Sequence, residues 1–178
     1  MKTYSPFSVH HRDLLILDTG PIRELILYHA VYDLGFQSLS PQLNPYFHRS
    51  AYEQLSNFLG LFRERTTSAS VVAELHRWIR DQTDAGGHRQ LWEQIYQEFR
   101  NMGMNEEVIK LLDMPIGVVA LQGPVDASLL EMARRHLDRN PVILTVDSWL
   151  ASECKKTQVA SAFHLIEVCH GESGIGDN

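Results

Sequence analysis

The stretch Leu14-Leu15-Ile16-Leu17-Asp18-Thr19-Gly20-Pro21 constrains the fold more than any other part of the chain. Four consecutive apolar residues predict a strand buried on both faces, as in the interior of a parallel sheet. The run stops at a carboxylate and Gly20-Pro21 turns the chain. Residues 22–31 then carry apolar side chains at 22, 25, 26 and 30, a helical period to which Pro21 supplies a suitable first turn. The order is strand, acid, turn, helix. In open α/β sheets ligands bind in the crevice beyond the carboxyl ends of the strands, and Asp18 is expected there.

The same pattern returns near the other end. Pro141-Val142-Ile143-Leu144 predicts a second buried strand, followed by Thr145-Val146-Asp147 and a helix beginning near Ser148. Residues 162–168 predict a last strand. Helical periods cover residues 51–62 (stripe Tyr52, Leu55, Phe58, Leu59, Phe62) and residues 71–80, the latter behind several N-cap candidates at 66–70. Two more cover residues 90–100, with Leu91, Trp92, Ile95, Tyr96 and Phe99 inward, and 125–137, with Leu129, Leu130, Ala133 and Leu137 inward. Residues 35–49 and 81–89 read as loops, Asn105 as the cap of a short helix that Pro115 ends, and residues 116–121 as a short strand. Residues 1–13 read as a polar lead-in and 171–178 as a frayed tail. The expectation is one α/β domain over residues 1–178, with its core at about 14–168 and a parallel central sheet flanked by helices in three layers.

Composition sets the outer bounds. At 178 residues, 44% hydrophobic and 21% charged, the chain is ordinary for a globular domain. No apolar run approaches the roughly 20 residues of a membrane span, and the first ten residues lack the apolar core of a secretory signal. Cys154 and Cys169 have no metal-ligand spacing, so a reduced, cytoplasmic protein is expected. The nine histidines show no zinc-site spacing and read as structural or exposed. A net charge of −6 argues against holding nucleic acid by charge neutralisation alone. The small basic groups Arg63/Arg65, Arg77/Arg80, Arg134/Arg135 and Lys155/Lys156 read as solvated helix faces.

Two more acids stand out against the helical pattern. Glu74 lies on the apolar face set by Val71, Leu75 and Trp78, and Asp126 points along the face of Leu129, Leu130 and Ala133. Singly, each has an ordinary explanation: a glutamate at the stripe's edge, and an aspartate favoured by a helix N-terminus. Taken with Asp18 and Asp147 they share one explanation, four carboxylates converging on cations. A donor set of carboxylates without cysteine or histidine suits hard ions, Mg²⁺ or Mn²⁺.

Leu-Asp-Thr-Gly-Pro around Asp18, Ser-Val-Val-Ala-Glu-Leu around Glu74, Val-Asp-Ala-Ser-Leu-Leu at Asp126 and Ile-Leu-Thr-Val-Asp at Asp147 occur in the order of a known family. The chain resembles a PIN domain, the nuclease fold of many prokaryotic toxins and RNA-processing enzymes. The resemblance implies that Asp18, Glu74, Asp126 and Asp147 are the acidic metal-site residues. It also implies that Thr145 is the hydroxyl residue accompanying the last acid. It implies a ribonuclease that hydrolyses phosphodiester bonds with Mg²⁺ or Mn²⁺, Glu74 being the carboxylate expected to take the proton from water. Expected partners are then an RNA substrate, a second copy of the chain and, in a toxin role, an antitoxin protein. The segment 81–120 departs from the compact toxins in being longer and more helical.

Two other readings compete. The four acids also suit a catalytically inactive scaffold or partner-binding protein of the same fold. Asp18-Thr19-Gly20 matches the triplet of aspartic proteases, but the chain holds one copy and helical periods dominate. Rossmann-like phosphotransferases need a second aspartate two residues on, where this chain has Gly20.

Overall fold

Strand β1 (Leu14–Leu17) lies at the centre of a five-stranded sheet with every residue buried, as an uninterrupted apolar run requires. The computed structural model describes residues 14–43, 45 and 47–170. The sheet order is β3-β2-β1-β4-β5 and every pairing is parallel, with β2 at Glu64–Ser68, β3 at Met104–Glu107, β4 at Val142–Thr145 and β5 at Ser161–His164. The chain travels from β1 outward to β3, then crosses back to β4 and continues to β5. The switch point therefore falls between β1 and β4, where Leu17, the last residue of β1, is the register partner of Leu144.

Helices fill the connections. Helices α1 (Thr19–Tyr32) and α2 (Arg49–Gly60) join β1 to β2, and α3 (Ala69–Gln82) and α4 (Ala85–Asn101) join β2 to β3. Helices α5 (Ile116–Gln122) and α6 (Pro124–Arg135) lead back to β4, α7 (Ser148–Thr157) joins β4 to β5, and α8 (Leu165–His170) follows. Right-handed crossovers place α1 to α4 on one face and α6 and α7 on the other, which makes the expected three layers. The core runs from β1 and β4 to Leu55, Phe58 and Leu75 on one side and to Leu129 and Met132 on the other.

Helices α3 and α4 form an antiparallel hairpin, since the His76 ring stands 4.8 Å from His88 and 5.2 Å from Trp92. At 17 residues α4 is about 25 Å long, roughly twice the length of a four-residue strand. Its last turn meets the start of β3, while Leu91 shares a cavity with Ile22 in the first turn of α1. The far half of the hairpin thus overhangs the carboxyl edge of the sheet.

Several local expectations are corrected. Residues 66–68, anticipated only as N-cap candidates, belong to strand β2 (Glu64–Ser68), although Ser68 does cap α3 by accepting from the Val71 amide at 3.2 Å. The anticipated loop at 35–49 contains a 3-10 helix, Gln37–Gln42. The anticipated loop at 81–89 closes after Thr83 and Asp84, because the Asp84 carboxylate accepts from the Gly87 amide at 2.7 Å and starts α4 at Ala85. Asn105 belongs to strand β3 and caps no helix; between it and Pro115 the chain makes the 3-10 turn Leu111–Asp113. Residues 116–121 lie in helix α5, not in a strand. Helix α6 stops at Arg135, which leaves Leu137 52% exposed instead of inward. The last strand ends at His164, and Leu165 opens a helix. Tyr96 points outward, 63% exposed. The lead-in at 1–13 and the tail at 171–178 lie outside the described residues.

Candidate metal centre

The sheet's switch point is fastened by one hydroxyl. Asp18 caps α1, and its Oδ1 accepts from the Thr19 amide at 2.6 Å. Its Oδ2 accepts from Thr145 Oγ1 at 2.6 Å, and the same Oγ1 accepts from the Asp147 amide at 2.8 Å. Asp147 caps α7, its Oδ1 accepting from the amides of Trp149 and Leu150 at 2.6 and 3.1 Å. Thr145 is fully buried and Asp18 is only 6% exposed. Both strand-to-helix turns therefore end on a carboxylate, and a single threonine holds the two together.

The other two acids arrive from the flanking helices. Glu74 is half-buried on α3, where Oε2 accepts from Thr19 Oγ1 at 2.5 Å. Asp126 is half-buried in the first turn of α6, three residues after Gly123. Gly123 has φ +99, a conformation that L side chains rarely adopt, and it lets α5 run straight into α6. A hydroxyl–hydroxyl hydrogen bond of 2.7 Å between Ser128 of α6 and Ser68 at the head of α3 sets the start of one helix against the other.

The four carboxylates act on one another. The Asp18 carboxyl is raised above the ordinary aspartate value first by burial; its hydrogen bonds from Thr145 and Thr19 oppose the rise, and the charges of Glu74 and Asp147 add to it. The Asp126 carboxyl is pushed up to about 7, first by burial and then by Asp18, Asp147 and Glu74. The five residues expected to form the site, Asp18, Glu74, Asp126, Asp147 and Thr145, thus lie in one electrostatic neighbourhood at the carboxyl edge.

They do not form a finished coordination shell. Among the described residues no group of three or more histidine, cysteine, aspartate or glutamate side chains is arranged to hold a metal ion. Asp18, Glu74 and Asp147 are each engaged by neighbouring O–H or N–H donors. The donor chemistry itself, carboxylates backed by hydroxyls, fits a hard divalent ion. His164, at the end of β5, is committed elsewhere: Nε2 donates to the Val146 carbonyl at 2.8 Å and Nδ1 accepts from the Ile166 amide at 3.3 Å.

Thr19, Ser68 and Ser128 escape the sequence reading as site residues. Thr19 sits inside the Asp-Thr-Gly triplet, which opens helix α1, and its hydroxyl is what reaches Glu74. No protein-family model and no curated protein matches the chain.

Proposed function

We propose that the protein is a divalent-metal-dependent ribonuclease. One observation carries the reading: Asp18 and Asp147 stand in the turns that follow adjacent strands at the switch point, with Glu74 and Asp126 in the same field. Asp18, Glu74, Asp126 and Asp147 would hold Mg²⁺ or Mn²⁺. A bound divalent ion supplies Lewis acidity, polarising a phosphoryl oxygen and acidifying water. The chain's own residues do the rest. Thr145 fixes the rotamer of Asp18 and positions the Asp147 backbone with the same oxygen. Thr19 pins one oxygen of Glu74 and leaves the other to accept a proton from the attacking water.

The test is cleavage of a mixed single-stranded RNA pool in Mn²⁺ or Mg²⁺, wild type beside Asp18→Asn. Cleavage that disappears in Asp18→Asn and in chelator is the expected result. A wild type that neither cleaves nor binds Mn²⁺ removes the reading.

A scaffold reading has its own observation. Asp18 and Asp147 are N-caps, a structural use that accounts for both without catalysis. Mn²⁺ affinity separates the two readings, because capping needs no metal.

A further inference from the structure

Between α4, the start of α3 and edge strand β3 lies a hollow of 390 Å³, whose lining includes Trp92, Tyr96 and Phe99 with Val72, Arg100, Asn105 and the Glu106 carboxylate. Residues 92, 96, 99 and 100 recur at helical spacing, so α4 presents one stripe of three aromatic rings ending in an arginine. Apolar side chains at these positions ordinarily serve the core, yet Tyr96 is mostly in solvent and Trp92 and Phe99 are only half-buried. The His76 ring stands edge-on to Trp92 at 89° and extends the aromatic surface onto α3.

We infer that this hollow is a subsite for an unpaired nucleobase, placed to hold single-stranded RNA beside the carboxylates; the inference rests on the ribonuclease reading. Exposed aromatic faces stack on bases, the exposed Asn105 amide can pair with a base edge, and the exposed Arg100 guanidinium can meet an adjoining phosphate. A base already paired in a duplex cannot enter. Val72 and Glu74 occupy one turn of α3 on opposite sides of a helix about 10–12 Å across, so a short oligonucleotide spans the hollow and the crevice.

The charge balance favours this mode of binding. Much of the basic surface is already paired: Arg135 with Asp113 and Glu131, Arg134 with Glu131, Lys156 with Glu153 and Arg80 with Asp81. With a net charge of −6 and these basic side chains held by carboxylates among the described residues, the hold on RNA comes from the bases more than from the phosphates.

The experiment is fluorescence anisotropy of the whole protein in EDTA with a labelled single-stranded RNA 12-mer, beside an abasic oligomer of the same length. Loss of affinity of about tenfold is expected for the abasic oligomer, for Trp92→Ala and for Tyr96→Ala, with Tyr96→Phe close to wild type. The salt slope should correspond to one or two phosphates, about −0.7 to −1.4 in log–log terms. Tyr96 is exposed, so its variants report on binding even where Trp92→Ala fails to fold. Equal binding of the abasic oligomer, or a Tyr96→Ala protein that binds RNA like wild type, overturns the subsite and leaves the stripe as a protein-contact surface. Failure of the nuclease reading shows differently: base-dependent binding intact, with no cleavage in Mn²⁺.

Discussion

At position 20 the two strand-to-helix turns meet so closely that the side chain must be hydrogen. A Cβ built on Gly20 would stand 2.3 Å from Val146 Cγ2 and 3.0 Å from Cγ1. Val146 separates Thr145 from Asp147, so the contact fixes how near the first acidic turn comes to the second. Valine is β-branched and has few rotamers into which it can retreat. Gly20→Ala should therefore destabilise the fold by about 1–3 kcal/mol, as overpacking does. Val146 is 37% exposed, so its truncation costs little by itself, and Val146→Ala should recover most of the loss in the double variant. Urea unfolding of the four proteins in the cycle measures the coupling. Additive effects would show that the two turns do not press on each other.

The elements differ in how plainly the sequence announces them, and the difference is physical. β1 and β4 are legible because strands buried on both faces must be apolar throughout. β2, Glu-Arg-Thr-Thr-Ser, hides because hydroxyls replace hydrocarbon: Thr67 donates to the Leu17 carbonyl at 2.8 Å and Thr66 to the Asn105 carbonyl at 3.2 Å. β3 lies at the sheet edge, where Met-Asn-Glu-Glu can face water and shows no apolar pattern. The β-branched pair in α5 suggests a strand, but Pro115 and Gly123 bound a helical turn packed on α6. The break after β5 had a signal: Glu167, three residues past His164, accepts from the His164 amide at 3.1 Å, as in half of a capping box. The acids themselves were legible as interruptions of apolar patterns, whereas their hydroxyl partners belong to contacts between distant segments. Capping and charge can be separated at this scale. Asparagine caps as well as aspartate, so Asp147→Asn should unfold in urea within about 0.5 kcal/mol of wild type, whereas Asp147→Ala should lose about 1 kcal/mol. RNA cleavage should vanish in both. An Asp147→Asn protein that cleaves like wild type would confine Asp147 to its capping role.

For the molecule as a whole, four acids gathered at one edge make stability depend on pH and on cations. Asp126 holds its proton more tightly in the folded protein, up to about 7, than in the unfolded chain near 3.8. Its stabilising contribution is therefore complete below about pH 4 and lost as pH rises through 7. Asp18, also raised, acts in the same direction. Asp126→Asn keeps the shape of the protonated side chain and removes the loss. Discounted for solvent screening of a half-exposed group, the gain at pH 8 is about 1 kcal/mol, or roughly 2–4 °C in Tm for a domain of this size. Thermal melts in EDTA should show the variant melting above wild type at pH 8 and the gap closing by pH 4. Mn²⁺ should raise the wild type at pH 8 and raise Asp126→Asn less, because a cation neutralises the repulsion that the variant has already relieved. Parallel melting curves from pH 4 to 8, unmoved by Mn²⁺, would mean that Asp126 lies outside the field of the other three acids. The site would then reduce to the threonine-bound pair Asp18 and Asp147, with Glu74 held beside them through Thr19.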